Sequence, residues 1–163
     1  MRKILILAVA VLAFSQAALA QAPDPARAET VSWSASAGPA PVKPDGAITV
    51  TLNAKVAEGW HVYALTQLPN GPTPLRITVD QNPLAAQAGA PKASPATIVH
   101  DPAFNLDTPL YSKAFFATVP VKLASHASAG KGSIPVTVRF QTCNGKICQP
   151  PKTIHLSAPI TVQ

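Results

Sequence analysis

The chain holds two cysteines, Cys143 and Cys148, with four residues between them in "RFQTCNGKICQPPKTIHL", Arg139 to Leu156. A pair at this spacing admits three chemistries. As a structural staple it gains little, because closing so small a ring removes only roughly 2 kcal/mol of unfolded-chain entropy. As a metal site it is two ligands short of a zinc tetrahedron. His155 lies seven residues beyond Cys148, His61, His100 and His126 are scattered, and the single methionine is Met1, so no metal is expected. As a redox pair it has both parts that exchange needs, one sulfur to be attacked and a second to resolve the mixed disulfide. Asn144-Gly145 is a turn signal, Lys146 would favour a thiolate electrostatically, and Pro150-Pro151 stiffen the exit from Cys148.

The elements that position this loop read as strands. Ile48, Val50 and Leu52 alternate with Thr49, Thr51 and Asn53; Leu75, Ile77 and Val79 alternate with Arg76 and Thr78. The same period runs through Phe115, Ala117, Val119, Val121 and Leu123, and through Ile134, Val136, Val138 and Phe140. Period two with proline and glycine punctuation is the β signal. Pro135 suggests a strand start or an edge, and "TIHL" and "PITV" read as a closing pair of strands. "PLAAQAGAPKASPA", Pro83 to Ala96, reads as a loop or a short helical turn. Seven or more short strands in a domain of ~130 residues predict an all-β fold, an immunoglobulin-like antiparallel β-sandwich. The inter-sheet disulfide of antibody domains is absent, since these cysteines are too close in sequence.

Around that domain, residues 1–20, "MRKILILAVAVLAFSQAALA", read as a secretory signal peptide. They have a basic start, an apolar run and a small-x-small end that places cleavage at Ala20-Gln21. The run is too short for an ordinary membrane span, and no cysteine follows the cleavage point for a lipid anchor. Residues 21–29 read as a flexible Pro/Ala leader and 30–163 as one domain with an adequate core. No transmembrane segment is expected in the mature chain, and the localisation expected is the periplasm. Loss of Arg2 and Lys3 takes the 13 basic residues to 11 against 7 acidic, a net charge of +4. The basic residues are dispersed singly, which argues against nucleic acid as a partner.

"FQTCNGKICQPPKT" resembles the active-site segment of the N-terminal periplasmic domain of the thiol:disulfide interchange protein DsbD. "EGWHVYA", Glu58 to Ala64, is similar to that family's Gly-aromatic-x-x-Tyr strand. "HDPAFNLDTPLYSKAFFATVPVKL", His100 to Leu123, is similar to its cap loop and following strand. The resemblance implies an immunoglobulin-like domain that relays reducing equivalents through a reversible Cys143–Cys148 disulfide. It implies that Cys148 forms the mixed disulfide, that Cys143 resolves it, and that Phe104 caps the pair. Trp60, His61, Tyr63, Asp101, Tyr111 and Lys146 stand as neighbours of the site. The electron donor expected is a thioredoxin-like protein or membrane thiol transporter. The acceptors expected are oxidised periplasmic proteins, including disulfide isomerases and cytochrome c maturation factors; no cofactor is implied. With the chain ending at Gln163, the expectation is a stand-alone protein-disulfide reductase component that needs a separate electron donor. In the family acidic residues flank the cap phenylalanine, whereas Pro102-Ala103 precede Phe104 here and Asp101 and Asp107 are the nearest acids. The rival reading is a non-catalytic interaction module with a structural disulfide.

Overall fold

The computed structural model describes residues 29–38 and 40–163, so the expected signal peptide and nearly all of the leader lie outside the described residues. Twelve strands follow one another: β1 Val31–Gly38, β2 Ala47–Val56, β3 His61–Tyr63, β4 Arg76–Val79, β5 Ala85–Gln87, β6 Lys92–Ala93, β7 Thr97–Asp101, β8 Leu106–Tyr111, β9 Phe115–Leu123, β10 Gly130–Phe140, β11 Thr142–Cys143 and β12 Lys152–Val162. Every strand pair between them is antiparallel. Three sheets result: β1-β2-β9-β5 with β6 also on β9, β12-β10-β4, and β11-β3-β8-β7. Among the described residues no helix is long and apolar enough to cross a membrane. The architecture is the immunoglobulin-like sandwich that the alternation predicts.

The alternating runs form the core because successive side chains leave a strand on opposite faces. Val50 and Leu52 of β2, Val119 and Val121 of β9, and Val136 and Val138 of β10 are all fully buried in one cluster. Their polar alternates line the outer faces.

Four prolines, Pro109, Pro120, Pro135 and Pro159, sit inside strands, and three of them show how the missing donor is accommodated. In one strand residue the N–H and C=O point to the same side. Pro135 lies within β10, not at its start. Its carbonyl accepts from the Asp80 N–H at 3.0 Å, just past the last β4 pair, Val136↔Val79. The absent N–H therefore faces the place where the β4 ladder stops. Pro109 of β8 repeats this: its carbonyl takes the Ala64 N–H at 2.9 Å, beyond the last β3 pair, Tyr63↔Leu110. Pro159 lies in β12, where "TIHL" and "PITV" form one continuous edge strand rather than two. Thr161, on the same side two residues on, bonds Val42 and not β10. The nitrogen of Pro159 thus points away from the ladder.

The Ala-rich stretch also departs from expectation. It supplies β5 and β6, both laid on the outer edge of β9. Asn82 starts it by accepting from the Leu84 and Ala85 N–H groups through Oδ1. The free edge of β9 satisfies the backbone there, which local composition does not reveal.

Leu52→Ala, at the centre of this core, should cost about 2–5 kcal/mol. Urea unfolding should show a lower midpoint at an unchanged m-value, with the redox potential of the distant disulfide unaltered.

Candidate redox site

The site is built where one strand changes sheets. β10 ends at Phe140, whose ring points into the main core. One residue later β11 leaves that sheet and pairs with β3, as Thr142↔Val62 and Cys143↔His61. Two side-chain bonds hold the crossing. Gln141 Oε1 accepts the Thr73 N–H at 2.8 Å, and the hydroxyls of Thr142 and Thr30 meet at 3.0 Å in a buried contact.

Beyond it, the chain folds back on itself. Cys143 and Cys148 face each other as an antiparallel bridge and form a disulfide. The flanking bonds are Asn144 N–H to Ile147 O at 3.1 Å and Gln149 N–H to Thr142 O at 2.9 Å. They make the cysteines a non-hydrogen-bonded pair, the position at which facing side chains come closest. The turn holds Gly145 at φ 78°, which suits the first central residue of a type II′ hairpin. Asn144 closes it from the side, its Oδ1 accepting from the N–H groups of Lys146 and Ile147 at 3.0 and 2.8 Å. Lys146 is exposed, and its ammonium makes no ion pair among the described residues.

The disulfide belongs to a small apolar cluster of its own. Tyr63, Leu110 and Cys143 are buried there, with Phe104 and Cys148 packed against them. The two sulfurs differ: Cys143 is 1% exposed, while Cys148 is only partly covered. Phe104 lies in the turn between β7 and β8 and sets its ring edge-on to Tyr63, centroids 5.9 Å apart. The Tyr63 hydroxyl stands 4.0 Å from Cys148 Sγ.

Strand parity sorts the expected neighbours into two groups. His61 and Tyr63 leave β3 on the same face as their ladder partners Cys143 and Leu110. Trp60, Val62 and Tyr111 go the other way, into the main core. There Tyr111 stacks on Phe115 at 4.0 Å and donates its hydroxyl to Ser94 O. Of the aromatic residues that carry the second resemblance, only Tyr63 reaches the sulfurs. The signal for this split was the alternation of "WHVY" itself.

Asp101 is the residue whose place the sequence left open. At the end of β7 it is 3% exposed, and it accepts the Tyr63 hydroxyl at 2.6 Å on Oδ2 and the Ala103 N–H at 2.8 Å on Oδ1. Burial, then this hydrogen bond and the charge of Asp101, push the Tyr63 phenol well above its ordinary value. The phenol keeps its proton. His61 Nε2 lies 3.8 Å from the same Oδ2, buried and, among the described residues, without a hydrogen-bond partner. Asp107, the other acid near Phe104, is exposed and bonds His100 at 3.0 Å. His155 sits on the β10–β12 ladder against Thr137 and Asp80. A cleft of about 300 Å³, lined by His61, Val99, Asp101, Leu110 and Asn144 among others, opens beside the hairpin. Leu110 was missed in the sequence, since one leucine in "TPLY" carries no mark of a site.

The arrangement is a β-sandwich that offers one sulfur of a hairpin disulfide at its end. The chain belongs to the family described as thiol:disulfide interchange protein DsbD, N-terminal, whose sequence pattern matches residues 28–158. Among solved structures, the N-terminal periplasmic domain of ScsB from Proteus mirabilis is similar, with a TM-score of 0.52 and 18% identity over 80% of this chain and 47% of that one. The chain thus spans about half the length of that structure, and the likeness is one of fold. A structure concerning aggregative adherence fimbriae of enteroaggregative Escherichia coli aligns at a TM-score of 0.32 and 14% identity, over 80% of this chain and 99% of that one, too slight to bear on the fold. No curated protein matches the chain.

Burial lowers the His61 imidazole below its ordinary 6.5, against the opposing pull of Asp101. In the window between the folded and unfolded values the unfolded chain binds more protons, so this contribution to stability is complete above about pH 6.5 and shrinks as pH falls through the folded value. His61→Gln should therefore lose less unfolding free energy than the parent between pH 7.5 and 5, as measured by urea titration at each pH.

Proposed function

We propose that this chain is a periplasmic thiol–disulfide exchange domain that carries reducing equivalents to partner proteins through Cys143 and Cys148. The observation that carries the reading is the asymmetry of the pair. A half-covered Cys148 is bonded to a buried Cys143 in a cluster separate from the main core. Opening this bond leaves the packing between the large sheets untouched, which suits a bond that is made and broken repeatedly.

The exchange balances as follows. A thiolate of a reduced donor attacks Cys148 Sγ in line with the disulfide; the Cys143–Cys148 bond breaks, and its electron pair passes to Cys143 Sγ, which takes a proton. The second donor thiolate then attacks the donor sulfur of the mixed disulfide. The donor leaves oxidised, and both cysteines are left as thiols. Toward an acceptor the order reverses: Cys148 attacks the acceptor disulfide and Cys143 resolves. Attack at Cys148 is the accessible direction, because a partner's sulfur cannot approach Cys143 without displacing Tyr63 and Leu110. Phe104, packed like Cys148 against the cluster of Tyr63, Leu110 and Cys143, acts as the cap that limits access in the absence of a partner. The donor is a thioredoxin-like protein or membrane thiol transporter, and the acceptors are oxidised periplasmic proteins, cytochrome c maturation factors among them. The family membership supports both assignments.

The pair should be reduced by a thioredoxin-like protein with no loss of near-UV circular dichroism, at a potential above about −300 mV, since structural disulfides lie below that value. A lower potential, or collapse of the tertiary signal on reduction, would favour the non-catalytic module with a structural disulfide. Cys143→Ser should accumulate a mixed disulfide through Cys148 on non-reducing gels, and Cys148→Ser should not.

Phe104→Ala should raise the alkylation rate of reduced Cys148 several-fold while costing less than the ~3–5 kcal/mol of a core Phe→Ala. Unchanged reactivity joined to a loss of that full size would make Phe104 a core anchor instead.

A further inference from the structure

Two groups converge on one carboxylate oxygen beside the sulfurs. Asp101 Oδ2 holds the Tyr63 hydroxyl at 2.6 Å, and His61 Nε2 waits 3.8 Å away with no bond of its own. The other carboxylate oxygen is occupied by the Ala103 N–H. Tyr63 in turn places its hydroxyl 4.0 Å from the partner-facing sulfur, Cys148 Sγ. While Oδ2 takes its proton, the phenol offers that sulfur only a lone pair. A lone pair suits a thiol and does nothing for a thiolate.

We propose that His61 is a positioning residue for exchange: on protonation it pairs with Asp101 Oδ2 and releases the Tyr63 hydroxyl to donate to the Cys148 thiolate. The proposal rests on the reading of Cys148 as the attacking sulfur. No bond between heavy atoms changes; His61 Nε2 takes one proton from solvent, and one hydrogen bond moves from a carboxylate to a sulfur. The groups around the imidazole leave Asp101 as its natural partner. Tyr63 stands beside it on β3 with rings 5.0 Å apart, and Cys143 lies opposite on β11. From β7 come Asp101 and His100, the latter exposed and already on Asp107. Leu110 of β8, Ser112 just beyond it and the hairpin residues Asn144 and Gly145 carry no charge. The imidazole is lowered by burial, so His61 is mostly neutral at pH 7 and titrates below pH 6.5.

The test is the pH profile of Cys148 alkylation by iodoacetamide in the reduced protein, with the modified residue located by mass spectrometry. A lone thiol loses tenfold in rate per pH unit below its own pKa, because only the thiolate reacts. Here the fall should be interrupted by a shoulder in mild acid, where Cys148 is roughly tenfold more reactive than the extrapolated line, the worth of one hydrogen bond to a charged group. His61→Gln and Asp101→Asn should each give an unbroken line. Tyr63→Phe should also lose the shoulder, while the His61 ring still titrates by NMR. Phe104→Ala should raise the whole curve without changing its shape, which separates access from ionisation. An unbroken line in the parent protein, or a shoulder that survives His61→Gln, would overturn the proposal. The reagent needs no protein partner. A shoulder found in a protein that thioredoxin-like donors cannot reduce would retain this inference and remove the proposed function.

Discussion

Two cysteines on facing strands can be joined with little distortion only at a non-hydrogen-bonded site, where the ladder brings side chains closest. Cys143 and Cys148 hold such a site on a hairpin of minimal length, and much of the nearby structure serves to place it. Among the described residues β3 is the strand that pairs with the hairpin, and its root is held from elsewhere as well. That is the task of the crossing at Gln141 and Thr142. Their side chains bond the Thr73 backbone and the Thr30 hydroxyl, from two separate parts of the chain. A strand that leaves one sheet for another exposes its backbone at the corner, and these bonds cover that exposure.

The partition between main core and site follows from parity in the β11-β3-β8-β7 sheet. One face sends Val62 and Tyr111 into the sandwich. The other turns Tyr63, Leu110 and Cys143 toward the hairpin. Each face is continuous across the ladder, so the small cluster is fastened to the large core through a shared backbone, with little side-chain packing in common. A change in the oxidation state of the sulfurs is therefore confined to a few side chains. Local opening of a small cluster generally costs less than global unfolding, which under the proposed function lets one domain combine a stable fold with an exchangeable bond.

Polar chemistry at the site depends on burial in the same way. A carboxylate 3% exposed must be hydrogen-bonded to remain there, and Asp101 meets that demand with a phenol and a backbone N–H. The phenol is thereby held beside Cys148. The orphaned His61 nitrogen is the one unmet demand in this group, and buried polar atoms without partners mark places where a structure can change state.

Much was legible in the sequence because strands write their burial at period two. The runs through β2, β9 and β10 named the core residues directly, and the Cys-Asn-Gly-Lys-Ile-Cys spacing named the hairpin. The resemblance in three segments named the family. Local rules misjudged Pro135, the joined β12 strand and the Ala-rich edge strands, because each depends on where a neighbouring ladder begins or stops. That is a property of pairing and has no local signature. Asp101 and Tyr63 stand 38 residues apart, and nothing in either segment announces the other. Only the stacking of β3, β8 and β7 in one sheet brings the carboxylate, the phenol and the sulfur to one face. The sequence by itself determined which residues are apolar, which can turn and which can form a disulfide. Tertiary structure decided which sulfur is reachable and which acid stands behind it, since burial and proximity arise only when distant strands share a ladder.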